Sequence, residues 1–298
     1  MSIDWRWRLW LLPVVPIVIL FIAMLANDLL GVPAVAEFVK QYPGTVPLPP
    51  DAPHGFPVWL NAAHFLNILF MALIARTALS IRSKQRPPHF FTRRNSGLVR
   101  TAGAPRRVSI HVWLHLAVDC LWVINGVVFI VLLFATGQWM RIVPTSWDIF
   151  PNALSAGLQY LGFVWPADNA WVNYNSLQVL AYFVTVFVAA PLAILTGIRL
   201  SNAWPQRERW IRGVPEKPIR WIHNATLVYF IVFVTIHVFL VLATGLLHNL
   251  NMMFAANDGT NWVGLVVCVL GLDVIMAIWM VLRPKTVAGL ARLFGTVQ

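Results

Sequence analysis

The apolar positions of this chain come in long runs, separated by shorter polar stretches. Six runs stand out: Trp10–Leu30, Val58–Ile81, Ile110–Thr136, Leu177–Leu200, Ile219–Leu247 and Asn261–Leu282. Each reaches or exceeds the roughly 20 residues that a helix needs to cross a bilayer. The pattern predicts an all-α, polytopic membrane helix bundle with six transmembrane helices, forming a single integral membrane domain over residues 1–298. The first run follows Arg6 and Arg8, as a signal peptide would. Its apolar stretch is longer than a usual signal core and continues through Leu29 and Leu30, so a retained helix is expected. Pro33 to Pro57 reads as a proline-rich external loop without helical period, and Pro191 predicts a bend in the fourth helix.

Composition agrees with this reading. Of 298 residues, 59% are hydrophobic and 11% charged, which excludes an ordinary soluble domain. The net charge of +11 invites a nucleic-acid partner, but its distribution argues against one. Arg82, Lys84, Arg86, Arg93, Arg94, Arg100, Arg106 and Arg107 follow the second helix. Arg199, Arg207, Arg209, Arg212, Lys217 and Arg220 follow the fourth, and Arg283, Lys285 and Arg292 lie in the C-terminal tail. The opposite loops carry only Lys40 and Arg141. This is the positive-inside asymmetry, with both termini cytoplasmic and the basic loops meeting anionic lipid.

Candidate chemistry lies in the fifth helix. His223 and His237 are 14 positions apart, so they lie about 40° from alignment and ~21 Å apart along the axis. Imidazole is a common axial ligand of haem iron, and two on one face at different depths suggest two stacked haems. The alternative is a pair of histidines bonded to neighbouring helices. Depth sorts the remaining histidines. His64, near the outer end of the second helix, shares its level with His237; His115, near the inner end of the third, shares its level with His223. A small residue lies 11 positions beyond each of His64 and His115, namely Ala75 and Gly126. Each would leave room for a flat ring at the other level, although helix packing alone also favours small residues. The four histidines predict two bis-histidine haem b groups. Cys120 and Cys268 form no covalent haem attachment motif and are read as packing residues.

Other polar groups are less telling. Asp119, one turn deeper than His115, is read as orienting a histidine, relaying a proton, lining a quinone pocket or bonding a neighbouring helix. Asp273 is a second carboxylate inside a run. His54 and His89 are expected in solvent, His111 near the headgroups and His248 at the interface. Gln138 to Tyr174, the longest external segment, carries Trp139, Trp147, Trp165 and Trp171. These serve a membrane belt, a lid over the outer cofactor or a docking surface. Phe230, seven residues from each histidine of the fifth helix, is expected to point between the two cofactors. Arg107 and Arg220 are placed to neutralise the propionates of the inner haem. No phosphate-binding glycine loop or nucleophile motif is present, so no catalytic residue is assigned.

One ligand from each of two successive helices and two from a later helix is a pattern that resembles the di-haem cytochromes b of the formate dehydrogenase gamma and nickel-hydrogenase b-subunit family. The resemblance covers roughly Val58–Asn251. The runs NAAHFLNILFM, DCLWVINGVVFIVLLFATGQW, VPTSWDIFPNAL and HNLNMMF are similar to bacterial cytochrome b subunits that accompany molybdopterin-dependent oxidoreductases. The resemblance implies a di-haem four-helix core over residues 58–247, an added N-terminal helix over 10–30 and a C-terminal helix over 261–282. It further implies a bacterial inner-membrane location, a quinone, a redox partner subunit and a role as electron-transfer subunit of an oxidoreductase complex. In this chain the first ligand helix starts outside, whereas in the formate dehydrogenase relatives it starts on the cytoplasmic side. The alternatives are a self-contained transmembrane reductase of a small molecule or ferric iron, and a transporter or anchor with structural histidines.

Overall fold

The structure, a computed structural model, describes residues 14–83, 86–96, 104–165, 169–201 and 215–298. Trp10 at the start of the first predicted helix, Arg6, Arg8, Lys84, Arg100, Arg207, Arg209 and Arg212 lie outside these residues. The fold is all-α in architecture. Five described helices are long and apolar enough to cross a membrane. They are α3 (Val58–Arg82), α4 (Ile110–Ala135), the broken helix Ser176–Leu200, α8 (Glu216–Ala243) and α10 (Val263–Val281). A sixth span is obtained if α1 (Val14–Leu30) and α2 (Pro33–Gln41) count as one segment bent by 84°.

The helix ends follow from local chemistry. Pro57 and Pro215 precede α3 and α8 in extended conformation, and Glu216 favours the positive N-terminal end of α8. The α8 helix ends at Ala243 with Thr244 as its cap, because Gly245 adopts φ 135°, a conformation that strains any residue with a side chain. The chain then starts α9 (Leu246–Ala255). The predicted fifth helix therefore ends short of Leu247, which belongs to α9. The fourth span comprises α6 (Ser176–Phe183), a π-helical stretch Val184–Ala189 and α7 (Ala190–Leu200). Pro191 has no N–H to donate and its ring crowds the preceding turn, so the ladder widens just before it. Pro33–Pro57 is not wholly a loop. Its first nine residues form α2, with Pro33 in the first turn, where a missing N–H costs nothing.

The Cα packing divides the chain into two compact units, residues 1–54 with 134–188 and residues 55–133 with 189–298. In the first, α5 (Ile149–Leu161) packs on α1, α2 and α6. Polar side chains pin its loops. Asn152 Oδ1 accepts from Gly44 N, Asn173 Nδ2 donates to the Val46 carbonyl, and Asn175 both caps α6 and donates to the Tyr160 hydroxyl. Arg141, a lone loop cation in the sequence, is only 1% exposed. It donates to Gln138 and to the carbonyls of Ala170 and Trp171, and its guanidinium lies over Tyr174.

In the second unit α8 packs along α7, and α9 packs on α10. Asn251 is fully buried at the latter contact: it donates to the Gly259 and Asn261 carbonyls and accepts from Gly264 N. A Cβ at Gly264 would lie 2.3 Å from Asn251 N, so only glycine fits there. A small antiparallel sheet closes one end, in the order β2 (Val108–Ser109), β1 (Phe90–Arg93), β3 (Gly295–Val297). Helix α11 (Pro284–Ala291) buries Val287 and Ala291 beside Phe91, Leu73, Ile110, Leu114 and Val118. The sequence pattern predicts neither this sheet nor the half-burial of His89, whose carbonyl accepts from Ile110 N.

Candidate functional site

Two histidines of the second unit stand ring to ring, and two others are each met by a threonine. His64 of α3 and His237 of α8 have ring centroids 6.3 Å apart, with planes inclined at 70°. Phe254 of α9 stands edge-on to His64, with centroids 6.3 Å apart. Phe233, one turn before His237, stacks on its ring at 5.8 Å and 6°. Tyr229 stacks in turn on Phe233, so an aromatic column runs up α8 to the histidine.

His115 of α4 and His223 of α8 are each met by a threonine of another helix. Thr77 Oγ1 lies 2.8 Å from His115 Nδ1, and Thr196 Oγ1 lies 2.9 Å from His223 Nδ1. Each hydroxyl is also within bonding distance of carbonyls of its own helix, Leu73 and Ile74 for Thr77 and Leu192 and Ala193 for Thr196. A hydroxyl whose one proton goes to those carbonyls offers its lone pair to a ring N–H. An imidazole that donates from Nδ1 leaves Nε2 with its lone pair.

Asp119 sits 3.5 Å from His115 Nε2, too long for a hydrogen bond. It is an electrostatic neighbour of the ring. Asp273 is exposed on α10 and far less engaged. His54 is exposed, His111 is half-buried at the start of α4, and His248 is bonded to Asp258 at 2.7 Å. Cys120 is exposed, so it does not pack within the chain as expected of it, and Cys268 is half-buried.

Phe230 is 8% exposed and meets Trp122 of α4 edge-on at 6.3 Å. Trp122 donates to Asn67 of α3, and Asn125 of α4 donates to the Ala63 carbonyl. Large side chains thus bridge α3, α4 and α8. Among the described residues the backbone of α8 approaches neither α3 nor α4 as closely as it approaches α7. A Cβ added at Gly126 would meet nothing within 4 Å. Arg107 is exposed, with its guanidinium 4.3 Å from the Phe90 ring centre. Arg220 lies 3.7 Å from Glu216, which Arg199 approaches at 3.5 Å.

The chemistry of these residues fits a haem on three counts. A metal–imidazole bond of about 2 Å on each side, with about 1 Å from each nitrogen to its ring centre, puts two opposed rings about 6 Å apart. His64 and His237 stand at that separation. A ring held through Nδ1–H by a threonine oxygen, as the threonines would hold His115 and His223, leaves Nε2 available to an iron. The Trp59 Nε1 and Asn61 Oδ1 atoms are buried without a hydrogen-bond partner among the described residues, close before His64 on α3. Buried polar atoms are ordinarily satisfied, so water or the polar edge of a bound group completes them. Among the described residues no cluster of three or more histidine, cysteine, aspartate or glutamate side chains is arranged for a metal ion.

Sequence reasoning missed Thr77, Thr196 and Gly197. A Cβ at Gly197 would lie 3.6 Å from His223 Cε1, so α7, which has no histidine, nonetheless lines one. It also missed Arg76, which donates to the Trp279 and Leu282 carbonyls at the C-terminal end of α10 and lies over the Trp279 ring. An arginine inside an apolar run was the signal for the last. Compared with protein-family models, curated proteins and solved structures, the chain matches none.

Proposed function

We propose that this protein is a di-haem, b-type membrane cytochrome that carries electrons between a quinone pool and a partner redox subunit. In this reading His64 and His237 hold one haem, and His115 and His223 hold the other. The observation that carries it is the 6.3 Å separation of the His64 and His237 rings across two helices. Bis-histidine haem iron supplies one-electron transfer when bound. The chain supplies the imidazoles and Phe230, which is buried midway between the two histidines of α8.

The sequence resemblance adds the partner, a molybdopterin-dependent oxidoreductase subunit, and the class, the formate dehydrogenase gamma type. The resemblance also implies a bacterial inner-membrane location, and the charge asymmetry adds that both termini are cytoplasmic. The His115–His223 pair then lies toward the cytoplasm and the His64–His237 pair toward the outside. A self-contained reductase of a small molecule or ferric iron remains the runner-up of the same class. A different reading, histidines that only clamp helices together, is favoured by one observation: each threonine–histidine bond also joins two helices.

A short-chain quinol added anaerobically to the purified, oxidised protein separates these readings. Reduction of a b-type haem band on mixing supports the quinone-linked carrier. A haem band that quinol leaves oxidised rules out that role. A protein without haem absorbance leaves the histidines structural.

A further inference from the structure

The two threonine–histidine bonds have the same construction. Each hydroxyl belongs to a different helix from its histidine: Thr77 of α3 serves His115 of α4, and Thr196 of α7 serves His223 of α8. Both threonines are buried, at 2% and 4% exposure. Both return their proton to carbonyls three and four residues back on their own helix. Among the described residues His64 has no ring hydrogen bond, and the rings against it and its partner are aromatic.

We propose that Thr77 and Thr196 are paired positioning residues for a single cofactor, the one held by His115 and His223. The inference rests on the di-haem reading. Each threonine locks its imidazole as the Nδ1–H form, fixes the ring plane and aims Nε2 at the iron. Accepting a hydrogen bond from Nδ1–H makes the imidazole a more basic ligand, which favours the oxidised metal. The neutral hydroxyl does this less than a carboxylate does. Thr77 and Thr196 thus set the potential of one haem and leave the other alone. They also give the broken helix, which holds no histidine, a direct part in the site.

The test uses the full-length protein carrying Thr77→Val, Thr196→Val or the corresponding Thr→Ser. Valine keeps the branched shape and removes the acceptor; serine keeps the acceptor. Redox titration of the haem bands should show both valine variants moving the same haem to higher potential, by several-fold to about tenfold in its reduced-to-oxidised ratio at fixed potential. The second haem should stay in place, and both serine variants should recover the wild-type titration. Movement of two different haems, of both haems equally, or of neither would overturn the proposal.

A second readout does not depend on haem. Nitrogen NMR of the haem-free protein should report His115 and His223 as Nδ1–H tautomers, each losing that preference when its own threonine becomes valine. Wild-type protein that shows the tautomers yet takes up no haem would overturn the di-haem reading and reduce the threonines to helix clamps. Haem-binding protein without those tautomers would overturn the threonine assignment alone.

Discussion

Helix α8 presents two histidines, and their surroundings differ. At His223, as at His115, a threonine hydroxyl from a neighbouring helix meets Nδ1. At His237 a phenylalanine of the same helix stacks on the ring, and Phe254 stands edge-on to His64. A hydrogen bond fixes which nitrogen carries the proton; stacking fixes only the plane. His115 and His223 thus each have a hydroxyl at Nδ1, and His64 and His237 have aromatic rings against their faces and edges. The lesson is that an apolar helix bundle can position the same side chain by two distinct means, and that these means should respond differently to substitution.

The largest expected effect breaks the comparison outright. His64→Ala and His237→Ala should each remove one and the same haem, leaving one per chain; His115→Ala and His223→Ala should each remove the other. Haem quantitation and the spectrum of what remains check the pairing. If His64→Ala and His115→Ala deplete the same haem, the pairs are wrong.

Next in size is Phe230, which serves both levels from the middle of α8. Phe230→Ala opens a cavity against Trp122 and should cost about 3–5 kcal/mol, the usual range for Phe→Ala in a packed core. Haem occupancy should fall at both levels. Phe230→Leu should cost much less. Thermal unfolding in detergent orders the two variants, and equal melting temperatures would contradict the packing described.

A smaller and more selective effect is expected of the aromatic cage. Phe233→Leu and Phe254→Leu keep an apolar neighbour but remove the flat face. Both haems should be retained, while the low-temperature paramagnetic signal of the His64–His237 haem broadens as its ring planes loosen. A change in the other haem's signal would show that the two levels are not independently built.

The smallest effect is expected of Arg107 and Arg220. Loss of positive charge near propionates disfavours the reduced iron, so the double Arg→Gln protein should show a slightly lower potential at the His115–His223 haem. Arg220 is already engaged with Glu216, and Arg107 with Phe90, so the shift is expected to be modest. An unchanged potential at both haems would remove the two arginines from the site.

Much of the fold was legible because run length alone separates membrane helices from loops, and α3, α4 and α10 begin and end within two residues of the sequence boundaries. Helix α2 was hidden by Pro33, read as a breaker when it starts a helix. The α8–α9 junction was hidden because Gly245 interrupts an apolar run without changing its hydropathy. The sheet pairs Phe91 with Val297, a contact across the whole chain that no local pattern encodes. Depth arithmetic along α8 put His237 at the level of His64, and the two rings stand 6.3 Å apart. It was blind to Thr77 and Thr196, since a threonine bonded back to its own helix looks like any other threonine in an apolar run. What made them visible was the side chain facing them from the next helix.

The most direct test of the whole account is the haem content of the purified wild-type chain, expressed in cells with sufficient iron and measured against protein mass. Two non-covalent haem b groups per chain, with a reduced b-type spectrum, is the predicted result. A chain that folds and purifies as a stable membrane protein with no haem would contradict it.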